Sequence, residues 1–125
     1  MATTEITSEN FESTVKSGGV LLLDWWAPWC GPCRAFGPIY QRVAAKYPDV
    51  TFGKVNTEQQ PDLAGEFGIS AIPTLMVIKD GTLVFRQAGM LPESALTSLV
   101  EQAKKLDVAE AKRGASKNPE AQAAQ

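Results

Sequence analysis

The chain has no histidine and only two cysteines among its 125 residues. The first absence removes the commonest metal ligand and the one side chain that ordinarily titrates near neutrality. A structural zinc site wants four Cys or His ligands, so this composition leaves room for one only between molecules. Charge of one sign is also lacking. Lys and Arg number 12 against 14 Asp and Glu, and the net −2 gives no basic footprint for nucleic acid. No apolar stretch reaches a membrane-spanning length. The start, Met1-Ala2-Thr3-Thr4-Glu5, has neither the basic opening nor the apolar core of a signal peptide. A reduced, cytoplasmic setting is therefore expected, and there an isolated Cys-x-x-Cys serves catalysis more often than structure.

What is present is concentrated at Cys30-Gly31-Pro32-Cys33. Two thiols so spaced can close a small disulfide and reopen it without dismantling a fold. One thiolate attacks a target disulfide and the second thiol resolves the mixed intermediate. An apolar run, Val20-Leu21-Leu22-Leu23, leads through Asp24-Trp25-Trp26 into the motif, and a helical pattern follows from Arg34. Strand, turn, then helix places Cys30 at a helix N-terminus, where unpaired N–H groups and the macrodipole favour a thiolate. A purely structural staple is the weaker reading, because so short a loop removes little chain entropy. With 44% apolar residues the domain has material for a core of its own.

Around the motif the pattern predicts a short N-terminal strand and then a helix from Thr7 to Lys16, N-capped by Thr7 or Ser8, with Phe11 and Val15 stacked. After Gly18-Gly19 comes a central strand, Val20 to Trp26, nearly all apolar as befits cover on both faces. The motif helix runs from about Cys30 to Lys46 and should kink at Pro38. A strand from Val50 to Asn56 and a short helix from Pro61 to Phe67, stopped by Gly68, follow. Thr74 to Lys79 and Thr82 to Gln87 read as a hairpin turning at Asp80-Gly81. Pro92 suits the first position of a last helix, whose apolar stripe is Leu96, Leu99, Val100, Ala103 and Leu106. That helix is expected to reach Arg113, with disorder from Ala115 onward. The order implies a mixed α/β sheet with helices on both faces, parallel through the crossovers and antiparallel at the hairpin. One domain over 1–105 and an extension over 106–125 are expected.

Trp26-Ala27-Pro28-Trp29-Cys30-Gly31-Pro32-Cys33, with Asp24 before it and Ile72-Pro73-Thr74, Asp80-Gly81 and Gly89 after it, resembles the thioredoxin family over about residues 5–105. The resemblance implies a central five-stranded sheet flanked by four helices, protein-disulfide reduction as the activity, and no bound cofactor beyond the redox-active Cys30–Cys33 disulfide. Electrons would come from NADPH through a thioredoxin reductase. Clients would be disulfide-containing proteins of the peroxiredoxin, methionine sulfoxide reductase or ribonucleotide reductase type, met by a monomer serving electron transport and redox homeostasis.

Cys30, first in the motif, is expected to face solvent as nucleophile, with Cys33 more buried as resolving thiol. A carboxylate inside an apolar strand is costly to bury ionised, so the pKa of Asp24 should rise, and it could then take the Cys33 proton near neutrality. Lys54 matches the family lysine beside this carboxylate and would moderate the shift. Gly31-Pro32 supplies no imidazolium to over-stabilise the reduced form, which favours a reductant over an oxidant. By resemblance Pro73 is cis and leaves the backbone before it free for an extended client chain. Trp29, Gly31, Pro32, Ile72, Pro73, Gly89 and Met90 would form the docking surface, with Trp26 beneath the disulfide. Glu58 stands where the family usually has an aspartate against the tryptophan, which leaves the Trp29 contact open. Trp25 replaces a more typical phenylalanine, and Met90 is bulkier than usual. A general reductant leads; a donor dedicated to one enzyme and a binding module on the same scaffold remain the alternatives.

Overall fold

A computed structural model describes residues 2–109. Its elements run β1 (Thr3–Glu5), α1 (Phe11–Lys16), β2 (Val20–Trp26), α2 (Gly31–Lys46), β3 (Thr51–Asn56), α3 (Pro61–Glu66), β4 (Thr74–Lys79), β5 (Thr82–Ala88) and α4 (Glu93–Lys105). The strands lie side by side as β1-β3-β2-β4-β5. Both β1 and β2 pair parallel with β3, while β2–β4 and β4–β5 are antiparallel. This is the mixed sheet the sequence predicts.

The middle strand sorts its side chains by parity, since successive residues of a strand point to opposite faces. Val20 and Leu22 join Phe36, Tyr40 and Val43 of α2, Phe52 of β3, Leu75 and Val77 of β4, and Leu96 and Val100 of α4 in one core. Leu21, Leu23 and Trp25 join Ile6, Val55, Leu63, Met76 and Ile78 in the other. Asp24, an even residue, is therefore directed to the α2 side, among groups that each gain about 1.5–3 kcal/mol by burial. Phe36, Tyr40, Val43 and Ala44 repeat at helical spacing, which is why α2 lies flat on that face. It continues through Pro38 without interruption.

Several boundaries differ from the sequence reading. Regular helix α1 begins at Phe11, with Asn10 rather than Thr7 or Ser8 at its N-cap. Thr7 instead opens a preceding turn: its Oγ1 accepts the Glu9 amide at 3.2 Å, and its own amide donates to Asn10 Oδ1 at 2.8 Å. Pro92 is extended (φ −60°, ψ 155°) and caps α4 from outside the helix. Helix α4 stops at Lys105, short of the expected Arg113, because Leu106 is extended. Lys79 Nζ donates there to the carbonyls of Ala103 (2.8 Å), Lys104 (2.9 Å) and Leu106 (2.7 Å), drawing the last turn onto β4. Helical backbone resumes at Val108 and Ala109, and the expected disorder from Ala115 lies outside the described residues. The hairpin turn has Asp80 at φ 49° and Gly81 at φ 82°, the paired positive values that a two-residue turn of this twist requires.

Candidate active site

Cys30 and Cys33 are joined as a disulfide at the start of α2, their Cα atoms 5.2 Å apart. Cys30 is the extended N-cap (φ −85°, ψ 116°), with Pro32 in the first turn. The Cys33 amide donates to Cys30 Sγ at 3.2 Å. One of the orphan donors of a helix N-terminus thus points at the sulfur that would carry the negative charge. Cys30 does not face solvent as the sequence reading expected: it is 5% exposed and Cys33 3%. The segment around Ile72 covers it, with the Ile72 carbonyl oxygen 3.8 Å from Cys30 Sγ.

Asp24 is fully buried, and neither of its carboxylate oxygens has a hydrogen-bond partner in the protein. Loss of hydration raises its pKa from 3.8 to about 7, with the nearby Lys54 charge pulling the other way. The sheet register creates that pair, since Asp24 lies opposite Lys54 across β2–β3. Lys54 Nζ sits 4.7 Å from the centre of the Trp26 ring. Lys54, Trp26 and Cys33 line one open groove of about 610 Å³ under the motif, together with Arg34, Gly37 and Pro38.

On the opposite side the Ile72–Pro73 peptide is cis. Among the described residues no backbone group pairs with the Ile72 amide or carbonyl. Ile72 is half-buried and Pro73 itself is buried, while Gly31, Pro32, Gly89 and Met90 are exposed. Trp29 is 65% exposed and Met90 39%, while the sulfur pair itself is covered. Glu58 does reach Trp29: the indole Nε1 donates to Glu58 Oε1 at 2.9 Å. The extra methylene of glutamate therefore preserves the contact that the sequence left open.

Two residues escaped the sequence reading. Tyr40, buried in the α2 stripe, donates its hydroxyl to Gly53 O at 2.8 Å and so ties α2 to β3 one residue before Lys54. In sequence it is an aromatic at core spacing and nothing more. Arg86 on β5 donates to the carbonyls of Phe67 and Gly68, and its only signal was a lone cation inside an apolar strand. Among the described residues no cluster of three His, Cys, Asp or Glu could hold a metal ion, and no helix is long and apolar enough to cross a membrane.

A disulfide at a helix N-terminus, a buried carboxylate of near-neutral pKa and a cis proline facing the sulfurs, on this sheet, define a protein-disulfide oxidoreductase. Residues 2–102 match the family model Thioredoxin. The chain is 53% identical over 112 residues to the putative thioredoxin 2 of Streptomyces coelicolor, covering 90% of this chain and 84% of that protein. It is 43% identical over 97 residues to a thioredoxin of Chlamydia pneumoniae, covering 78% and 94%. Among solved structures, chloroplastic thioredoxin z superposes with a TM-score of 0.78 at 27% identity, covering 85% of this chain and 97% of that one. A chain from work on the thiol resolving mechanism of yeast mitochondrial 1-Cys peroxiredoxin via the glutathione and thioredoxin systems gives 0.73 at 32%, covering 80% and 94%. The chain belongs to the thioredoxin family.

Proposed function

We propose that this protein is a general reductant of protein disulfides in the cytoplasm, recharged by NADPH through a thioredoxin reductase. The observation that carries the direction of electron flow is local. Cys30 Sγ receives a backbone amide at a helix N-terminus, and neither Gly31-Pro32 nor any other position supplies a histidine. The thiolate is favoured by the amide and the helix dipole without an imidazolium to make the reduced pair too stable to give up electrons.

In the proposed cycle the Cys30 thiolate attacks one sulfur of a client disulfide. The client S–S bond breaks, a client thiolate leaves, and a mixed disulfide forms at Cys30. The Cys33 thiol then loses its proton to the Asp24 carboxylate. Its thiolate attacks Cys30 Sγ, the mixed disulfide breaks, and the second client thiolate leaves. The client has gained two electrons and the protein holds the Cys30–Cys33 disulfide. A pKa near 7 fits Asp24 to this task, because an acceptor works best when its pKa lies close to the working pH. Lys54 keeps part of the carboxylate ionised. Trp29, Gly31, Pro32, Ile72, Gly89 and Met90 form the client surface, with Pro73 buried beneath to present the Ile72 backbone to an extended chain. Peroxiredoxins, methionine sulfoxide reductases and ribonucleotide reductases fit as clients through the disulfides their turnover leaves.

Reduction of insulin disulfides with NADPH and a thioredoxin reductase tests the reading. Steady NADPH consumption that requires both cysteines is expected. Turnover with dithiothreitol but none with the reductase would leave the dithiol chemistry and overturn the electron source; turnover with neither would overturn the reductant.

A further inference from the structure

The edge strand β5 holds both ends of the loop that carries Ile72, and we infer that Arg86 on this strand is a positioning residue for the docking of protein disulfides. Residues 69–73 contain no helix or strand, so their course depends on how the ends are tied. At the downstream end the Gly89 amide, just past β5, donates to Pro73 O at 2.7 Å. At the upstream end Arg86 reaches the residues that close α3: Nη1 donates to Phe67 O at 2.5 Å and Nη2 to Gly68 O at 2.9 Å. Register places both anchors, with Arg86 opposite Met76 and Ala88 opposite Thr74 on β4.

Helix α3 needs the upstream clamp. It is six residues long, well below the length at which a helix holds itself. The Ile69 amide donates to Ala64 O at 2.9 Å and the Gly68 amide to Gly65 O at 3.1 Å, a turn closed around Gly68 at φ 61°. Just beyond the helix, the carbonyls of Phe67 and Gly68 go to the guanidinium. Its planar fork meets two adjacent acceptors at once, which a lysine ammonium cannot do in the same fixed geometry. Freed from it, the loop would lose its upstream reference while the disulfide, held by α2, stayed in place. A client that pairs with the Ile72 backbone would feel the change, and a small disulfide that touches only sulfur would not.

Arg86 acts here through the disulfide chemistry proposed above, so the test separates the two. Fully reduced chain, wild type, Arg86→Met and Arg86→Lys, is mixed in single turnover with insulin and with the small aromatic disulfide DTNB. For Arg86→Met the second-order rate with insulin is expected to fall about tenfold while the DTNB rate stays within about twofold, and Arg86→Lys is expected to fall between. Amide hydrogen exchange should quicken in 68–73 and not in α2. Equal slowing with both disulfides, or unchanged insulin rates with only a lowered Tm, would overturn the positioning role. Failure of the wild type with both disulfides would instead overturn the reductant reading itself. Should Arg86→Met not fold, Arg86→Lys carries the same two comparisons.

Discussion

At the scale of single residues, Asp24 is the most informative position, and its burial was legible because it interrupts the apolar run Val20–Trp26. The folded chain holds a proton on it between pH 3.8 and about 7 that the unfolded chain has released. Its contribution to stability is therefore complete below about pH 4 and declines as pH rises to 7, by up to about 4 kcal/mol at 1.4 kcal/mol per pH unit. Urea unfolding of the oxidised protein should show Asp24→Asn gaining on wild type from pH 5 to pH 8. A gap independent of pH would mean that Asp24 does not carry that proton. Kinetically, Asp24→Asn should slow resolution of the mixed disulfide at least tenfold more than the initial attack, read by rapid quench; equal slowing would remove it as proton acceptor. Cys33→Ser should accumulate mixed disulfides on non-reducing gels, and Cys30→Ser should not; the reverse pattern would exchange the two roles. What sequence did not disclose here was the covering of Cys30, since that depends on a loop forty residues away folding back over the sulfur.

At the scale of elements, interiors were easier to read than ends. The burial stripe of α2 and the turn at Asp80-Gly81 follow from local spacing and backbone preference. The end of α4 does not, because the three carbonyls around it are bound by Lys79, remote in sequence and itself an ordinary strand residue. Lys79→Met should cost about 2 kcal/mol, the worth of hydrogen bonds to a charged group left unmade, and thermal unfolding would register it. Gly53 makes a second point about elements. A Cβ there would stand 2.7 Å from Ile6 Cγ1 and 3.2 Å from Leu22 O, so β1 and β2 close on β3 only because the side chain is missing. Gly53→Ala is expected to destabilise the fold by about 1–3 kcal/mol in denaturant titration, through overpacking. An unchanged midpoint would show that Ile6 swings clear at no cost.

For the molecule as a whole, the order of elements and the mixed sheet were legible, while the order of strands in the sheet comes from the structure. The connection rules gave parallel crossovers and an antiparallel hairpin, and the strands are found in the order β1-β3-β2-β4-β5. Truncation after Lys105 removes one of the three acceptors of Lys79. Tm should fall slightly, and insulin reduction should remain within about twofold, because the site lies wholly upstream. A larger loss of activity would give the extension a part in the chemistry.

The seclusion of the sulfur pair, 5% and 3% exposed, bears on how such a molecule handles current. A bare dithiol would discharge into whatever oxidant drifted past. Beneath the Ile72 segment and beside Trp29 it behaves more like a recessed socket, making contact when a chain of suitable shape plugs in and staying insulated otherwise.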